Sequence, residues 1–421
     1  MKELILEIFL SVTFWGSIGL IAFSYAIYPS LLAFLARGKK LPEEVFEKEE
    51  EFPEVAVLMA VYNEESVLRK TLQSILESDY PEKKLQVWIG SDGSIDGSHE
   101  IIEEFRDQFP GLSLRVFSGR NGKIKIINQL IFDARASFEN PETAALVLCD
   151  ANVAWSKSAL KSMVRHFKRD DVGLVGACVM DQQVEHEGIG DEEEAYVGRE
   201  NRTKYYEGLL WGKMMGAFGA CYAMKAKLFT PVPSQYIVDD FFQTLACLQG
   251  GHKAIVDLEA EVYEAVSVQI EEEFRRKTRI ATGNFQNLKH FWDFLKPWNG
   301  GASTAFAFWS HKGIRWIGPH LMRIMLVSLV ILSFIQPLYW AVIAGLAASG
   351  IAAGIDYWMS RKPGRPHIKL FRFTRYFYAM NYAVWLGYLA FRRGVRNSVW
   401  EPTKRVEHGR PKEKPRETAK T

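Results

Sequence analysis

Four aspartates stand at positions where a carboxylate could bind a ligand or a metal ion. Asp92 and Asp150 each come at the end of an apolar run that is typical of a buried strand, and Asp239 and Asp240 are adjacent. A carboxylate at the C-terminal edge of a buried strand opens onto the crevice where α/β sheets bind ligands. Several such carboxylates indicate a metal-assisted site for a phosphorylated substrate.

The elements that would position these aspartates alternate between strands and helices. Residues 55–61 form a continuous apolar run, as in a buried strand, and residues 64–78 follow with helical spacing of their apolar positions. A second strand is predicted at residues 85–89, a helix at 97–107 and a third strand at 113–117. This alternation predicts an α/β domain with a mostly parallel central sheet.

Five short motifs occur in an order that resembles family 2 glycosyltransferases. They are residues 61–65 (Val-Tyr-Asn-Glu-Glu), 91–98 (Ser-Asp-Gly-Ser-Ile-Asp-Gly-Ser), 122–123 (Gly-Lys), 150–152 (Asp-Ala-Asn) and 239–240 (Asp-Asp). The resemblance covers about residues 53–290, and the flanking apolar segments are similar to those of the membrane-bound, polysaccharide-synthase-like branch. It implies the GT-A fold, with a mostly parallel central sheet and flanking transmembrane helices, and a nucleotide-diphosphate sugar as donor substrate.

The resemblance also implies where the donor binds. Asn63 and Glu64 would lie at the edge of the nucleotide pocket, and Asp92 would accept hydrogen bonds from the base or the ribose. Lys123 would offset the charge of the diphosphate. Turn chemistry alone gives another interpretation of residues 91–94, because an ordinary strand-to-helix turn has the same composition.

The metal ligands and the general base are assigned by the same resemblance. Asp150 occupies the first position of the family's Asp-x-Asp signature, which holds Mg²⁺ or Mn²⁺ through oxygen ligands. Asn152 stands where the second aspartate is expected, so an amide oxygen replaces a charged ligand. Asp240 corresponds to the general base, and Asp239 would raise its pKa or orient it. An acid-capped helix N-terminus is the alternative interpretation of this pair.

Residues 276–280 resemble the Gln-x-x-Arg-Trp signature of processive synthases, with two departures. Arg276 replaces the glutamine and Ile280 replaces the tryptophan, whereas Arg279 is retained. The resemblance implies that both arginines bind the donor, with Arg279 clamping the departing diphosphate through two parallel N–H groups. Without the family context, a basic cluster on anionic lipid would explain the segment.

The overall composition does not indicate a macromolecular partner. The 421 residues carry a formal net charge of +2, which gives no indication of nucleic-acid binding. Acidic residues are concentrated in residues 42–54 and basic residues in 392–421. The four cysteines are widely spaced, which favours a reduced, cytosolic environment for the central region over a disulfide framework or a zinc site. No feature identifies a partner subunit for export or synthesis.

Three uncharged or nearly uncharged runs predict association with a lipid bilayer. Residues 8–36 are long enough to span a bilayer. Residues 324–355 exceed one span as a single helix, and Gln336-Pro337 near their middle predicts a break between two spans. Residues 376–391 form a third, marginal run, which we expect to be re-entrant or to lie in the membrane interface.

Basic residues beside these runs predict the orientation. Arg37, Lys39 and Lys40 place the residues after the first span in the cytoplasm, and the basic segment 361–375 gives the same side. We therefore expect an integral protein of the cell (inner) membrane with a cytoplasmic catalytic domain. The predicted domains are an N-terminal transmembrane helix (1–40), an acidic linker (41–54), the GT-A domain (55–315), C-terminal transmembrane or interfacial helices (316–393) and a basic cytoplasmic tail (394–421).

The expected activity is that of a membrane-bound, inverting glycosyltransferase. It would move a sugar from a nucleotide sugar to a glycan or a lipid-linked acceptor, in the synthesis of a polysaccharide or another cell-envelope glycan. Two alternatives stay open at this point. One is a single-addition transferase acting on a lipid, and the other is a non-catalytic membrane scaffold with a degenerate transferase domain.

Overall fold

The computed structural model describes residues 1–182, 189–264, 269–361 and 368–395. Strands and helices alternate from Val55 to Glu264, and long helices lie before and after them. Most of the predicted basic tail, from residue 396 onward, lies outside the described residues.

The first half of the domain is a parallel sheet covered by helices on both faces. Four strands lie in the order β3-β2-β1-β4, and three helices connect them. These elements are β1 (Val55–Val61), α3 (Glu65–Leu76), β2 (Leu85–Ser91), α4 (Ser98–Gln108), β3 (Leu112–Val116), α5 (Lys123–Ser137) and β4 (Ala145–Cys149). The strands and helices predicted here are confirmed to within three residues at each end.

Burial on both faces explains why β1 has no polar residue. Val57 and Met59 pack with Leu68 and Ile102 on the side of α3 and α4. Alternate residues of the strand, such as Leu58, pack against α5 on the other side. A strand buried on both faces reads as a continuous apolar run, which is how the sequence predicts it.

The second half of the domain adds antiparallel pairings to the same sheet. Strand β7 runs antiparallel to both of its neighbours, β4 and β6, whereas β6 and β8 are parallel. The elements are β5 (Ala154–Trp155), α6 (Ala159–Arg165), β6 (Val172–Asp181), α7 (Gly190–Trp211), β7 (Cys221–Lys225), α8 (Asp239–Gln249) and β8 (Lys253–Glu264). Four of the seven pairings in the described sheet are parallel, so the mostly parallel sheet is confirmed.

Three helices in the described part of the chain are long and apolar enough to cross a membrane, namely Lys2–Leu35, Ala302–Ile335 and Leu338–Ser360. The first consists of α1 (Lys2–Ala22), a π-helical turn (Phe23–Ile27) and α2 (Tyr28–Leu35). The second consists of α10 (Ala302–Phe308), a π-helical turn (Trp309–Gly313) and α11 (Ile314–Ile335). The third, α12 (Leu338–Ser360), begins after Gln336-Pro337, where the sequence predicts the break.

The third predicted apolar run lies in a helix that packs on the α/β domain. Residues 376–391 fall within α13 (Lys369–Arg393), which contacts α9 (Ile270–His290) along much of its length. Gly387 makes this approach possible, because a Cβ atom there would lie 2.5 Å from Cβ of Ala281. The ring of Phe285 stacks on Phe391, with 6.0 Å between centroids. Within the described residues, α13 does not qualify as a candidate span.

The predicted acidic linker is packed against the domain. Phe46 and Phe52 are buried, with their ring centroids 4.6 Å apart, and Phe52 packs edge-on against Tyr80. Lys168 donates hydrogen bonds to Glu51 and to the carbonyl oxygen of Val45. All four cysteines are free and buried.

Candidate active site

The predicted site residues collect at one edge of the sheet because β1, β2 and β4 are adjacent and parallel. Val61, the last residue of β1, pairs with Ser91, the last residue of β2. The residues that follow these strands therefore emerge side by side, as parallel topology requires. Asp92 follows β2 directly, and Asp150 follows β4 directly.

Asp92 is fully buried and holds the turn that leads into α5. Its carboxylate accepts hydrogen bonds from the backbone N–H groups of Asn121 (2.5 Å) and Gly122 (3.1 Å) and from Nε of Arg120 (3.2 Å). The guanidinium of Arg120 in turn lies over the ring of Tyr62, 3.3 Å from its centroid. These hydrogen bonds hold the loop ahead of Lys123.

Asn63 joins the loop after β1 to the loop after β2. Its side-chain oxygen accepts a hydrogen bond from the backbone N–H of Ile95 (2.9 Å), and its own N–H donates to Oγ of Ser94 (3.1 Å). Asn63 has a φ of 54°, a left-handed conformation that asparagine adopts more readily than most residues. Glu64 is buried beside it and donates its backbone N–H to Oγ of Ser98.

Lys123 and Asp150 form an ion pair across the sheet edge, with 2.6 Å between Nζ and Oδ1. Burial lowers the pKa of Lys123, but the carboxylates of Asp150, Asp239 and Asp240 outweigh burial and raise that pKa overall. Lys123 therefore stays cationic at neutral pH. Asn152 lies nearby and donates its amide N–H to Glu264 (3.1 Å), so the carbonyl oxygen of its side chain is the atom suited to a cation.

Asp239 and Asp240 begin α8, as the acid-capped interpretation of the pair also predicted. Oδ1 of Asp240 accepts the backbone N–H of Phe241. Burial and then the neighbouring charge of Asp239 raise the pKa of Asp240 to about 6, against the opposite effect of Lys123, the Phe241 N–H and Lys204. A carboxylate with this pKa is deprotonated at neutral pH and is basic enough to take a proton.

The two arginines of the 276–280 segment have different surroundings. Arg276 is bound by carboxylates, at 2.8 Å from both Glu193 and Glu273. Arg279 has no ion-pair or hydrogen-bond partner in the part of the chain that the structure describes, and it faces the cavity described next. Surrounding protein desolvates Arg279 and lowers its pKa, while Asp150 counteracts this effect.

A single cavity of about 1480 Å³ connects most of these residues. Eight of the ten predicted site residues line it, namely Glu64, Lys123, Asp150, Asn152, Asp239, Asp240, Arg276 and Arg279. Asn63 and Asp92 are not part of its lining and act on the loops behind it. Its lining also includes part of α7 and, from the first apolar helix, Tyr25 and Pro29. It therefore joins the sheet edge to a candidate membrane span.

Helix α7, whose buried face is charged, is not predicted from the sequence. Glu193, Glu200 and Glu207 recur every seven residues and lie on one face of the helix together with Lys204, all buried. Hydrophobic periodicity cannot detect such a helix, because the side chains that face inward are polar. The regular spacing of the glutamates in the sequence was the available signal.

Glu200 and Glu207 tie α7 to the long apolar helices. Glu200 contacts His311 and Lys312, both in the π-helical turn Trp309–Gly313, and also Arg315. Burial raises the pKa of Glu200, but these cations outweigh burial and hold the pKa well below the usual value. Glu207 accepts a hydrogen bond from the hydroxyl group of Tyr28 (2.9 Å).

Comparison with known proteins identifies the domain. Residues 56–230 match the family model "Glycosyl transferase family 2". A β-monoglucosyldiacylglycerol synthase of Synechocystis sp. is 29% identical over 30% of this chain and 25% of its own length. A poly-β-1,6-N-acetyl-D-glucosamine synthase of Staphylococcus epidermidis is 31% identical over 35% of this chain and 34% of its own length. The matched segment thus spans about a quarter to a third of these relatives.

A solved structure extends the comparison to most of the chain. A mannosyltransferase of Pyrobaculum calidifontis, in complex with GDP-Man and Mn²⁺, superposes with a TM-score of 0.64 over 89% of this chain and 97% of the other. The two sequences are 21% identical, so this likeness concerns the fold. Together with the order of the sheet, it shows the GT-A fold, and the family match identifies residues 56–230 as a domain of the family 2 glycosyltransferases.

Proposed function

We propose that this protein is a membrane-bound, inverting glycosyltransferase that moves a sugar from a nucleotide-diphosphate sugar to a hydroxyl group of a glycan or a lipid-linked acceptor. One observation carries the proposal. The carboxylate of Asp240, the free guanidinium of Arg279 and the Lys123–Asp150 pair line one cavity, and that cavity reaches a candidate membrane span. A base, a diphosphate-binding cation and a path to lipid are thus combined in one space.

The donor diphosphate would bind at the end of the cavity formed by Lys123, Asp150 and Arg279. No group of three or more Asp, Glu, His or Cys residues suited to a metal occurs among the described residues. The side chains of Asp150 and Asn152 nevertheless fit Mg²⁺ or Mn²⁺, since these ions are commonly held by one or two protein oxygens together with substrate phosphates and water. When bound there, the ion supplies positive charge that neutralises the diphosphate.

Transfer would be a direct displacement. Asp240 removes the proton of the acceptor hydroxyl group, the oxygen forms a bond to the anomeric carbon from the side opposite the leaving group, and the bond from that carbon to the diphosphate oxygen breaks. Arg279 stabilises the negative charge that develops on the diphosphate. Attack from the opposite side inverts the configuration at the anomeric carbon. Asp239 keeps the pKa of Asp240 high enough for this role.

The remaining predicted residues would act less directly. Asn63 and Asp92 fix the loops that surround the nucleotide, and Glu64 lines the edge of the pocket. Arg276 was predicted to bind the donor, yet its guanidinium is held by Glu193 and Glu273. We therefore assign the contact with the diphosphate to Arg279. Arg276 instead attaches α9 to α7 through Glu193.

The proposed location is the cell (inner) membrane, with the catalytic domain in the cytoplasm. The proposal takes the nucleotide sugar from the cytoplasm, so the catalytic domain must lie on that side. Arg37, Lys39 and Lys40 at the end of the first candidate span favour the same side for the residues that follow. The domain packs against the long helices through the charges of α7, which would hold the active site at the membrane surface.

A single-addition transferase acting on a lipid is the second candidate. The departures at Arg276 and Ile280 from the signature of processive synthases favour it, as does the extension of the cavity to the first apolar helix. A non-catalytic scaffold is disfavoured, since Asp150 and Asp240 are retained in one cavity. Synthesis of a polysaccharide remains the first candidate, in line with the similarity to a polysaccharide synthase.

The test is a screen of radiolabelled UDP- and GDP-sugars with the detergent-solubilised full-length protein, followed by sizing of the product. Transfer to a lipid extract or a glycan primer supports the proposal, and product length separates one addition from many. Retention of configuration at the anomeric carbon would contradict the displacement mechanism. Absence of turnover with every donor would favour the scaffold.

A further inference from the structure

Lys204 differs from the other charged residues on the buried face of α7. Glu193, Glu200 and Glu207 each contact basic or hydroxyl groups of other elements. The ammonium group of Lys204 has no hydrogen-bond or carboxylate partner among residues 1–182, 189–264, 269–361 and 368–395, although only 3% of the residue is exposed. Burying a cation without a direct ion-pair partner is costly, so such a group indicates a ligand that pairs with it.

The surroundings of Lys204 place it at the acceptor side of the cavity. Its Nζ lies 3.2 Å from the ring centroid of Phe218, and both residues line the cavity. Gly219, the residue after Phe218, lies against the proposed base. A Cβ atom added at Gly219 would be only 2.6 Å from Oδ2 of Asp240. Adjacent residues are about 3.8 Å apart. Lys204 and Asp240 therefore flank the same short stretch of chain.

Three carboxylates act on Lys204, but each is held by another group. Glu200 pairs with Lys312 and Arg315, Glu207 accepts from Tyr28, and Asp240 accepts the backbone N–H of Phe241. Burial and then the ammonium of Lys312 lower the pKa of Lys204 to about 7, while the carboxylates of Glu200, Asp240 and Glu207 raise it. Glu200 is already shared by Lys312 and two further basic residues and forms no direct pair with Lys204. An anion bound beside Lys204 would stabilise its charged form.

Part of the wall of the same cavity belongs to the first candidate membrane helix. Tyr25, Ala26 and Pro29 line it there. A ligand that reaches Lys204 from this side would have its apolar part among membrane helices and its charged part at the ammonium group. We propose that Lys204 binds a phosphate group on the acceptor lipid and thereby places a neighbouring hydroxyl group at Asp240. The inference rests on the proposed function for the role of Asp240.

The experiment measures how fast Lys204 is acylated by an amine-reactive reagent at pH 7 in the detergent-solubilised full-length protein, with peptide mass spectrometry as readout. Short-chain phosphatidic acid, short-chain diacylglycerol and inorganic phosphate are compared at equal concentrations. We expect phosphatidic acid to slow acylation of Lys204 about tenfold or more, as the loss of a charge-assisted hydrogen bond would imply, and diacylglycerol to have no effect. The exposed Lys70 serves as the internal control.

A second measurement uses Lys204→Met, with Lys70→Met as the matched control. Lys204→Met should bind nucleoside diphosphate as the wild type does, yet lose binding of phosphatidic acid presented in phosphatidylcholine vesicles by about tenfold or more. Lys204→Arg should retain that binding. Unchanged binding in Lys204→Met overturns the inference.

The other outcomes are equally decisive. Equal protection by inorganic phosphate would overturn the assignment to a lipid, and absence of protection by any of the three compounds would overturn the anion site. Turnover of nucleotide sugar without protection of Lys204 refutes this inference alone. Protection of Lys204 without turnover of any nucleotide sugar refutes the proposed function alone.

Discussion

Asp240 is the residue on which the proposed chemistry depends most directly. Asp240→Asn keeps the shape of the side chain and removes its basicity, so we expect donor binding to persist and transfer to fall by about 10²–10⁴-fold. In the wild type, kcat/KM should rise with pH through about 6, because Asp240 must be deprotonated to act as base. The residual rate of the variant should lack this rise.

The measurement is the pH profile of sugar transfer for both proteins, with nucleoside diphosphate inhibition as the control for donor binding. Wild-type transfer in Asp240→Asn would show that another group takes the proton. If the rate of Asp240→Asn still rose with pH through about 6, the titrating group would be a different residue.

Asp150 is proposed to hold the metal ion together with substrate phosphates. Asp150→Ala should weaken donor binding in the presence of Mg²⁺ or Mn²⁺, and a chelator should have the same effect on the wild type. Asn152→Ala should do less, because a neutral amide is a weaker ligand. Donor binding measured by calorimetry checks this, with and without chelator. Full activity in chelator, or equal loss in both variants, would contradict the assignment.

The sequence predicts where a site residue lies in the fold better than it predicts which groups that residue contacts. The motifs correctly indicated that Asp150 follows a strand and that Asp240 begins a helix. They could not show that Asp92 is occupied by the backbone N–H groups of Asn121 and Gly122, because those partners come from a loop 29 and 30 residues away in sequence. Lys204 is not predicted as a site residue for the same reason, since its neighbour Phe218 is brought close only by folding.

Apolar patterning decides which strands and helices can be predicted from the sequence. Strand β1 was predicted with its observed limits because seven consecutive apolar residues are buried on both faces. The break at Gln336-Pro337 was predicted because proline lacks the N–H group that a helix interior needs. Helix α7 was not predicted, since its inward face consists of glutamates and a lysine whose partners lie in other elements.

Helix α9 offers a test that separates two arginines one turn apart. Arg279→Lys should impair turnover and weaken inhibition by nucleoside diphosphate, since a guanidinium presents two parallel donors to a diphosphate and an ammonium group does not. Arg276→Lys should leave that inhibition near the wild-type value, because Arg276 is held by Glu193 and Glu273. Unchanged inhibition in Arg279→Lys, with activity that follows lipid charge, would move the segment to the membrane surface.

Buried charges, in addition to apolar contacts such as Phe241 against Trp316, connect the GT-A domain to the long helices. Arg315 contacts Glu200 on α7 and also donates to the carbonyl oxygen of Ser24 (3.0 Å), in the first apolar helix. Ser24 and His311 each lie in a π-helical turn, so both long helices depart from regular geometry where they meet each other. Such turns are frequent at functional sites. The predicted boundary at residue 315 falls inside the continuous helix Ala302–Ile335.

Glu200→Gln tests whether this junction holds the molecule together. Removing the carboxylate leaves several buried basic groups without their counter-charge, which typically costs on the order of 3–5 kcal/mol. The folded-state pKa of Glu200 is lowered, so its contribution is present at neutral pH and is lost as pH falls through that pKa. We therefore expect a large drop in the thermal unfolding temperature of Glu200→Gln at pH 7, and a smaller difference from the wild type in acid.

Glu103→Gln is the matched control, because Glu103 pairs with Arg106 on the surface of α4, where both side chains are more than 40% exposed. A pair of that kind contributes about 0–1 kcal/mol, so this variant should unfold near the wild-type temperature. Equal unfolding temperatures for Glu200→Gln and Glu103→Gln would show that the buried charges do not fix the domain to the helices. In that case apolar packing, such as α13 on α9, would have to position the cavity at the membrane.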